Sequence, residues 1–175
     1  MKSKGKFTIR EAEERDIPVL VDFMAKLALH VSGGEPKTLT VEARQRLEKF
    51  LKTYIDETEK CMVVSCTARG KVVGMGNIHI WHSPNLWEEA AGLDLKSAFI
   101  DDLWVEPEYR QRGLFAMMLD VLVSFAERHH IEELYLEYSV SNAEAESVWR
   151  KLGFNPTGIR AAAFTGVVRE KLVKR

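Results

Sequence analysis

At 175 residues, with 46% hydrophobic and 29% charged residues, the chain is sized for one globular domain with a substantial core. Its formal net charge of −1 provides no field to recruit nucleic acid or an anionic membrane, so neither is expected as a partner. The start, Met1 to Lys6, is basic but lacks the apolar run of a signal peptide, and no stretch approaches the ~20 apolar residues of a membrane span, so a cytoplasmic protein is expected.

Phe7 to Arg10 reads as a short first strand. Asp16 stands where it could cap a helix whose apolar positions, Ile17, Leu20, Val21, Met24, Leu27 and Ala28, recur with a helical period. Val31 to Lys37, with Gly33, Gly34 and Pro36, breaks that helix. Thr40 opens a second helix with Leu47, Phe50, Leu51 and Tyr54 on one face. Cys61 to Ala68 and Val72 to Trp81 are β-rich runs joined by the hairpin signal Arg69-Gly70-Lys71. Cys61 and Cys66 lie at an odd offset, which on one strand points them to opposite faces and argues against a disulfide or a shared metal.

Pro84 starts an irregular stretch to about Lys96, and Ser97 to Val105 is the next strand. Leu114, Met118, Val121, Leu122 and Phe125 place a helix after Gly113, with His129 and His130 at its C-terminus, where the dipole favours positive charge. Leu134 to Val140 reads as a strand and Asn142 to Leu152 as the final helix. Ser141 and Glu144 form a capping box, Ala145, Val148, Trp149 and Leu152 share an apolar face, and Gly153 stops the helix. Phe154 to Arg160 and Thr165 to Leu172 read as two closing strands. No Pro/Gly/Ser-rich linker or repeat interrupts the order, so residues 1–175 are expected as a single α+β domain with helices on both faces of a sheet.

Val105 to Phe115 carries the chemistry. It runs a strand through a cationic, glycine-containing turn, Arg110-Gln111-Arg112-Gly113, into a helix. Such a turn aims backbone N–H groups and a helix N-terminus at one point, which makes a pyrophosphate site. Gly113 would let the backbone approach the phosphates. The donors would be the amides of the turn and of Leu114, Phe115 and Ala116, with Arg110 and Arg112 adding charge. No Gly-x-x-x-x-Gly-Lys-Ser/Thr segment supports a P-loop. Gly74-Met75-Gly76 starts a dinucleotide fingerprint, but His79 replaces its third glycine and the segment lies inside a strand, where a kink or bulge explains it better.

Arg110 to Phe115 matches an Arg/Gln-x-x-Gly-x-Gly/Ala motif at its first and fourth positions, with Phe115 at the sixth. Asn142 to Phe154 follows Asn-x-x-Ala-x-x-x-(aromatic)-x-Lys-x-Gly-Phe. At this spacing the two segments resemble the acyl-CoA-binding core of the GNAT superfamily of N-acetyltransferases. The resemblance implies a mixed, mostly antiparallel, twisted sheet whose fourth and fifth strands splay to admit acetyl-CoA as cosubstrate. It implies that the backbone of Leu103, Trp104 and Val105 pairs with the pantetheine arm and polarises the thioester carbonyl. Asn142 takes the place of a residue that contacts the pantetheine or pyrophosphate region. Trp149 stands where the family's Tyr protonates the departing thiolate. An indole N–H is no acid near neutral pH, so either water or another group serves, or the chain binds acyl-CoA without turnover.

Transfer to an amine needs a base. Acidic residues at the place of Asp101 and Asp102 recur as base candidates in the superfamily, and strand alternation would leave one of the pair facing the acceptor. The expected reaction is direct acetyl transfer from acetyl-CoA to a primary amine, with no covalent enzyme intermediate. The alternatives are a non-catalytic acyl-CoA-binding module and a protein N-acetyltransferase. Trp81 to Trp104, carrying Glu88, Glu89, Asp94, Asp101 and Asp102 beside Trp81, Trp87 and Trp104, suits a small cationic amine. His30, His79, His82, His129 and His130 show no metal-ligand spacing, so no metal is expected, and His82 is the one nearest the acceptor stretch. A homodimer follows by superfamily analogy.

Overall fold

Six strands, β1 (Lys2–Lys4), β2 (Phe7–Glu11), β3 (Lys60–Thr67), β4 (Val72–Trp81), β5 (Ser97–Val105) and β6 (Glu133–Leu136), form one sheet in chain order. The computed structural model describes residues 2–4, 6–33, 38–82, 96–140, 142–158 and 161–173. They divide into two compact units, Met1–Glu137 and Tyr138–Arg175. In the first unit every strand pair is antiparallel except β5 with β6, which is parallel. The sheet is therefore mixed and mostly antiparallel, as expected.

Helices α1 (Ile17–Ser32) and α2 (Val41–Asp56) cover one face. Their Leu20, Val21, Phe23, Leu51 and Tyr54 meet Met62, Val64, Met75 and Trp104 of the strands in one core. Helix α3 (Leu114–Arg128) covers the other face, where Leu114 packs with Phe7 and Val73. The alternation along β3 sends Met62, Val64 and Cys66 towards α1 and α2. It leaves Cys61 pointing the opposite way, and both cysteines are free and buried.

Thr40 caps α2 by accepting from the Ala43 amide at 3.2 Å, as its sequence signal suggested. Asp16 does not cap α1. It ends a short 3-10 turn, and its buried carboxylate instead takes both terminal nitrogens of Arg10, at 2.6 and 2.8 Å, and the Glu13 amide at 2.9 Å. An unpaired charge at that depth would be costly, so the guanidinium outcompetes the helix end.

Strand β5 spans nine residues, but β6 pairs with it only from Ser97 to Ile100. Asp101 to Val105 thus extends past the last rung of the β5–β6 ladder. The strand read as Leu134 to Val140 stops at Leu136, where its ladder with β5 ends.

In the second unit, α4 (Ala143–Lys151) is capped by Asn142, whose Oδ1 accepts from the Ala145 amide at 3.0 Å. Ser141 of the expected capping box lies outside the described residues. The two closing strands are not formed among the described residues. Residues 154–158 have no regular structure, and Thr165–Val173 is a helix, α5. The β-branched residues there suggested a strand, but β-propensity has force only against a packed neighbour. Val167, Val168, Leu172 and Val173 are exposed, and Arg169-Glu170-Lys171-Leu172 is a run of strong helix formers.

Glycine at 74 is a packing requirement. A Cβ there would stand 2.7 Å from the Trp104 carbonyl oxygen and 2.6 Å from Ser65 Oγ, so β5 would have to move. Gly74→Ala is predicted to cost about 1–3 kcal/mol, read as a lower thermal midpoint; an unchanged midpoint would show that the strands yield freely.

Candidate active site

The site is built from a register change. Ile78 of β4 faces Ile100 of β5, and Gly76 faces Leu103, so three steps along β5 match two along β4. Asp101 and Asp102 together oppose Asn77, which is a β-bulge. The extra residue leaves a ladder amide without its strand partner, and Asn77 takes it: Asp102 N–H donates to Asn77 Oδ1 at 2.9 Å.

The bulge overturns the expectation that adjacent strand residues point to opposite faces. Leu103 faces α3, because a Cβ on Gly76 would meet Leu103 Cδ2 at 2.6 Å and Leu122 Cδ1 at 3.4 Å. Ile100 pairs with Ile78, which lies across from Cys61 on that same face. With Ile100 and Leu103 both towards α3, the two residues between them share the α1/α2 face. Asp101 and Asp102 thus stand side by side.

Each carboxylate has a different setting. Asp101 Oδ2 accepts from Tyr54 O–H at 2.5 Å and lies 2.7 Å from His79 Nδ1. Burial, reinforced by the hydrogen bond to Asp101, pushes the Tyr54 phenol well above its ordinary range, so it stays protonated and donates. Burial also lifts Asp102, and the neighbouring Asp101 charge adds to it; Asn77 opposes both, and the carboxyl is pushed up to about 6.

Aromatic rings lead to this pair from the edge of the α1/α2 face. His79 stacks on Phe99 with centroids 5.8 Å apart, Trp81 touches both rings, and Tyr54 meets His79 and Phe50 edge-on. Trp81 and Phe50 are exposed. Lys60 Nζ lies 5.4 Å from the Tyr54 ring. Trp87, Glu88, Glu89 and Asp94, the other half of the expected acid and aromatic stretch, lie outside the described residues. His82 pairs with Glu59 at 3.2 Å on the surface; it is His79 that reaches the acidic pair.

Strand β5 then leads into the cationic turn. A 3-10 turn, Pro107–Tyr109, precedes Gln111 at φ 58° and Gly113 at φ 79°, both left-handed, and Gly113 is the N-cap of α3. The first amide of α3 with an acceptor inside the helix is that of Met117, which donates to Gly113 O at 3.1 Å. The amides of Leu114, Phe115 and Ala116 precede it, and helix geometry directs such groups to partners outside the helix. Leu114 is buried, Phe115 half-buried and Ala116 exposed, so the bulky residue at the motif's sixth position is partly tucked in. The Arg110 guanidinium lies 5.1 Å from the centre of the buried Trp104 ring, and its Nε donates to the Val105 carbonyl at 3.1 Å. Arg112 donates to Glu108 O at 3.0 Å and lies over Tyr109. Positive charge, left-handed turn residues and a helix N-terminus therefore lie within one short segment, a donor set of the kind that fits a diphosphate.

One stretch, residues 101–116, thus holds Asp101, Asp102, Leu103, Trp104, Val105 and the whole turn from Arg110 to Ala116. Asn142 and Trp149 belong to the second unit. Asn142 caps α4, and Trp149 is buried and meets Phe154 edge-on at 5.2 Å. Tyr54 and His79 were not singled out by the sequence. Tyr54 reads as one more apolar position of its helix, and only the fold brings it to a carboxylate 47 residues away. Among the described residues no group of three or more His, Cys, Asp or Glu converges as metal ligands would, and no helix is long and apolar enough to cross a membrane.

Comparison with known proteins bears on the fold and the family. A structure from Clostridium acetobutylicum, described as a predicted acetyltransferase with acetyl-CoA, superposes with a TM-score of 0.70 at 22% identity, covering 90% of this chain and 96% of that one. Glucosamine-6-phosphate N-acetyltransferase from Arabidopsis thaliana gives 0.65 at 18% identity, covering 91% and 98%. At such identities the likeness is one of fold. The [Ribosomal protein bS18]-alanine N-acetyltransferase of Salmonella typhimurium is 36% identical over 66 residues, 38% of this chain and 45% of that protein. The chain spans about half the length of the curated relatives it matches. The model described as "Acetyltransferase (GNAT) family" matches residues 30–154, far more than half of the sequence, and the chain therefore belongs to that family.

Proposed function

We propose that the protein transfers an acetyl group from acetyl-CoA directly to a primary amine. The observation that carries this reading is the bulge, which sets Asp101 and Asp102 side by side on the strand that leads straight into the diphosphate-type turn. In this reading the amides at the start of α3 and the cations Arg110 and Arg112 hold the diphosphate. The part of β5 beyond its pairing with β6, Leu103 to Val105, holds the arm that follows and offers a backbone N–H to the thioester carbonyl.

An alkyl amine arrives as an ammonium, because its pKa is about 10. The two carboxylates form the acid end of the site: Asp102 attracts the cation, and its proton passes to the groups bound to Asp101. The neutral amine nitrogen then attacks the thioester carbonyl carbon, an amide N–C bond forms, and the C–S bond breaks. The nitrogen sheds its second proton, and the sulfur leaves as the CoA thiol. Thiols are good leaving groups, with pKa about 8.5, so a Tyr at position 149 is not required. The rings of Phe50, Tyr54, His79, Trp81 and Phe99 beside the acid pair favour a small cationic acceptor. A second reading, an α-amine of a protein, is favoured by the relatives named for acetylating an alanine of ribosomal protein bS18. This reading takes the two units as one cytoplasmic domain, with a homodimer by superfamily analogy only.

Thiol release from acetyl-CoA across polyamines, amino sugars, simple alkylamines and an alanine-terminated peptide tests the function. Turnover of the small cations supports the first reading, turnover of the peptide alone supports the second, and release with no amine contradicts both. Gly113→Ala strains a left-handed residue by about 1–2 kcal/mol and is predicted to raise the Kd for acetyl-CoA severalfold in calorimetry; an unchanged Kd would count against the diphosphate site. Asp102 attracts a cation only when ionised. Its carboxyl titrates near 6, so kcat/KM for a cationic amine is predicted to fall as pH drops through that value. Asp102→Asn should raise the amine KM at least tenfold while leaving acetyl-CoA binding intact; an unchanged KM would remove Asp102 from the acceptor site.

A further inference from the structure

We propose that His79 is the general base of the site, with its Nδ1 proton held by Asp101 and its Nε2 lone pair presented to the acceptor amine. The inference rests on the acetyl-transfer reading for the reaction itself, and on geometry for the residue.

Asp101 Oδ2 is shared by two neighbours, Tyr54 Oη at 2.5 Å and His79 Nδ1 at 2.7 Å. Tyr54 keeps its proton and donates it. A carboxylate has none to give, so the short contact to Nδ1 requires the imidazole to donate as well. The proton of neutral His79 is thereby fixed on Nδ1, and the lone pair lies on Nε2. Among the described residues no hydrogen bond to Nε2 is formed, and the side chain as a whole retains 22% exposure. The ring cannot turn away easily. Phe99 stacks on it at 5.8 Å, Trp81 lies at 6.0 Å and Tyr54 at 6.5 Å.

This is the logic of catalytic triads, in which a carboxylate fixes the tautomer and orientation of an imidazole and steadies the imidazolium that forms. Among the described residues, Asp101 from β5 and Tyr54 from α2 meet His79, Asp102 adjoins Asp101, and Lys60 from β3 lies over the Tyr54 ring. Roles then divide. Asp102 meets the ammonium charge, Asp101 and Tyr54 position the imidazole, and His79 takes the proton. The proton moves from the ammonium to Nε2, giving imidazolium and a neutral amine. The amine attacks the carbonyl carbon, the C–S bond breaks, and the nitrogen's second proton goes to the thiolate. The imidazolium returns its proton to solvent.

His79→Asn tests the assignment, because the Asn amide can stand where Nδ1 stood and still donate to Asp101, while nothing replaces Nε2. Loss of a general base costs a factor of about 10²–10⁴. The variant is expected to lose at least that lower factor in kcat, with acetyl-CoA Kd and thermal midpoint close to wild type. A kcat within threefold of wild type would mean that the ring only braces Asp101, and would overturn the proposal. Nitrogen-15 NMR of the imidazole gives a second readout that needs no turnover: the neutral ring should carry its proton on Nδ1 in the wild type, and a proton on Nε2 would refute the base whatever the activity. A wild-type protein that acetylates no amine removes the reaction and the base with it. Turnover with undiminished His79→Asn activity removes the base alone.

Discussion

Everything that makes this sheet a site depends on one extra residue in β5. Without it, Asp101 and Asp102 would alternate, and one of them would be driven into the apolar layer under α3. A charge there, with no partner, would be costly enough to prevent folding or to stay protonated. The bulge instead brings both acids to the α1/α2 face, and Asn77 satisfies the amide it displaces. Two glycines make room for the arrangement, since side chains at 74 and 76 would collide with β5.

Two carboxylates in contact repel each other, and the molecule separates their fates. Asp101 is tied into hydrogen bonds by Tyr54 and His79, while Asp102 keeps its proton to a higher pH than an ordinary carboxyl. A few residues further along, the same strand enters a turn of opposite electrostatic character, rich in arginine and running into a helix N-terminus. An acid end and a cationic end on one strand suit a reaction that joins a cation to the carrier of a diphosphate.

The central elements were legible in the sequence because their signals were strong and local. The apolar runs of β3, β4 and β5 and the glycine that starts α3 stand where their patterns placed them, and Cys61 and Cys66 do face opposite ways. The side-by-side acids were not legible, because strand alternation cannot register an inserted residue; the pair Gly74 and Gly76 was its one outward sign. His79 reads as a stray histidine inside a strand until Asp101 is folded against it. Thr165 to Val173 misled because its valines have high strand propensity, yet they are exposed on a helix.

A crystal structure with acetyl-CoA bound is the most direct test. The account predicts the diphosphate against the amides of Leu114 to Ala116, and the thioester carbonyl beside β5 on the way to the face that bears Asp101, Asp102 and His79. A diphosphate bound away from that helix start, or a thioester directed away from the bulge, would contradict it.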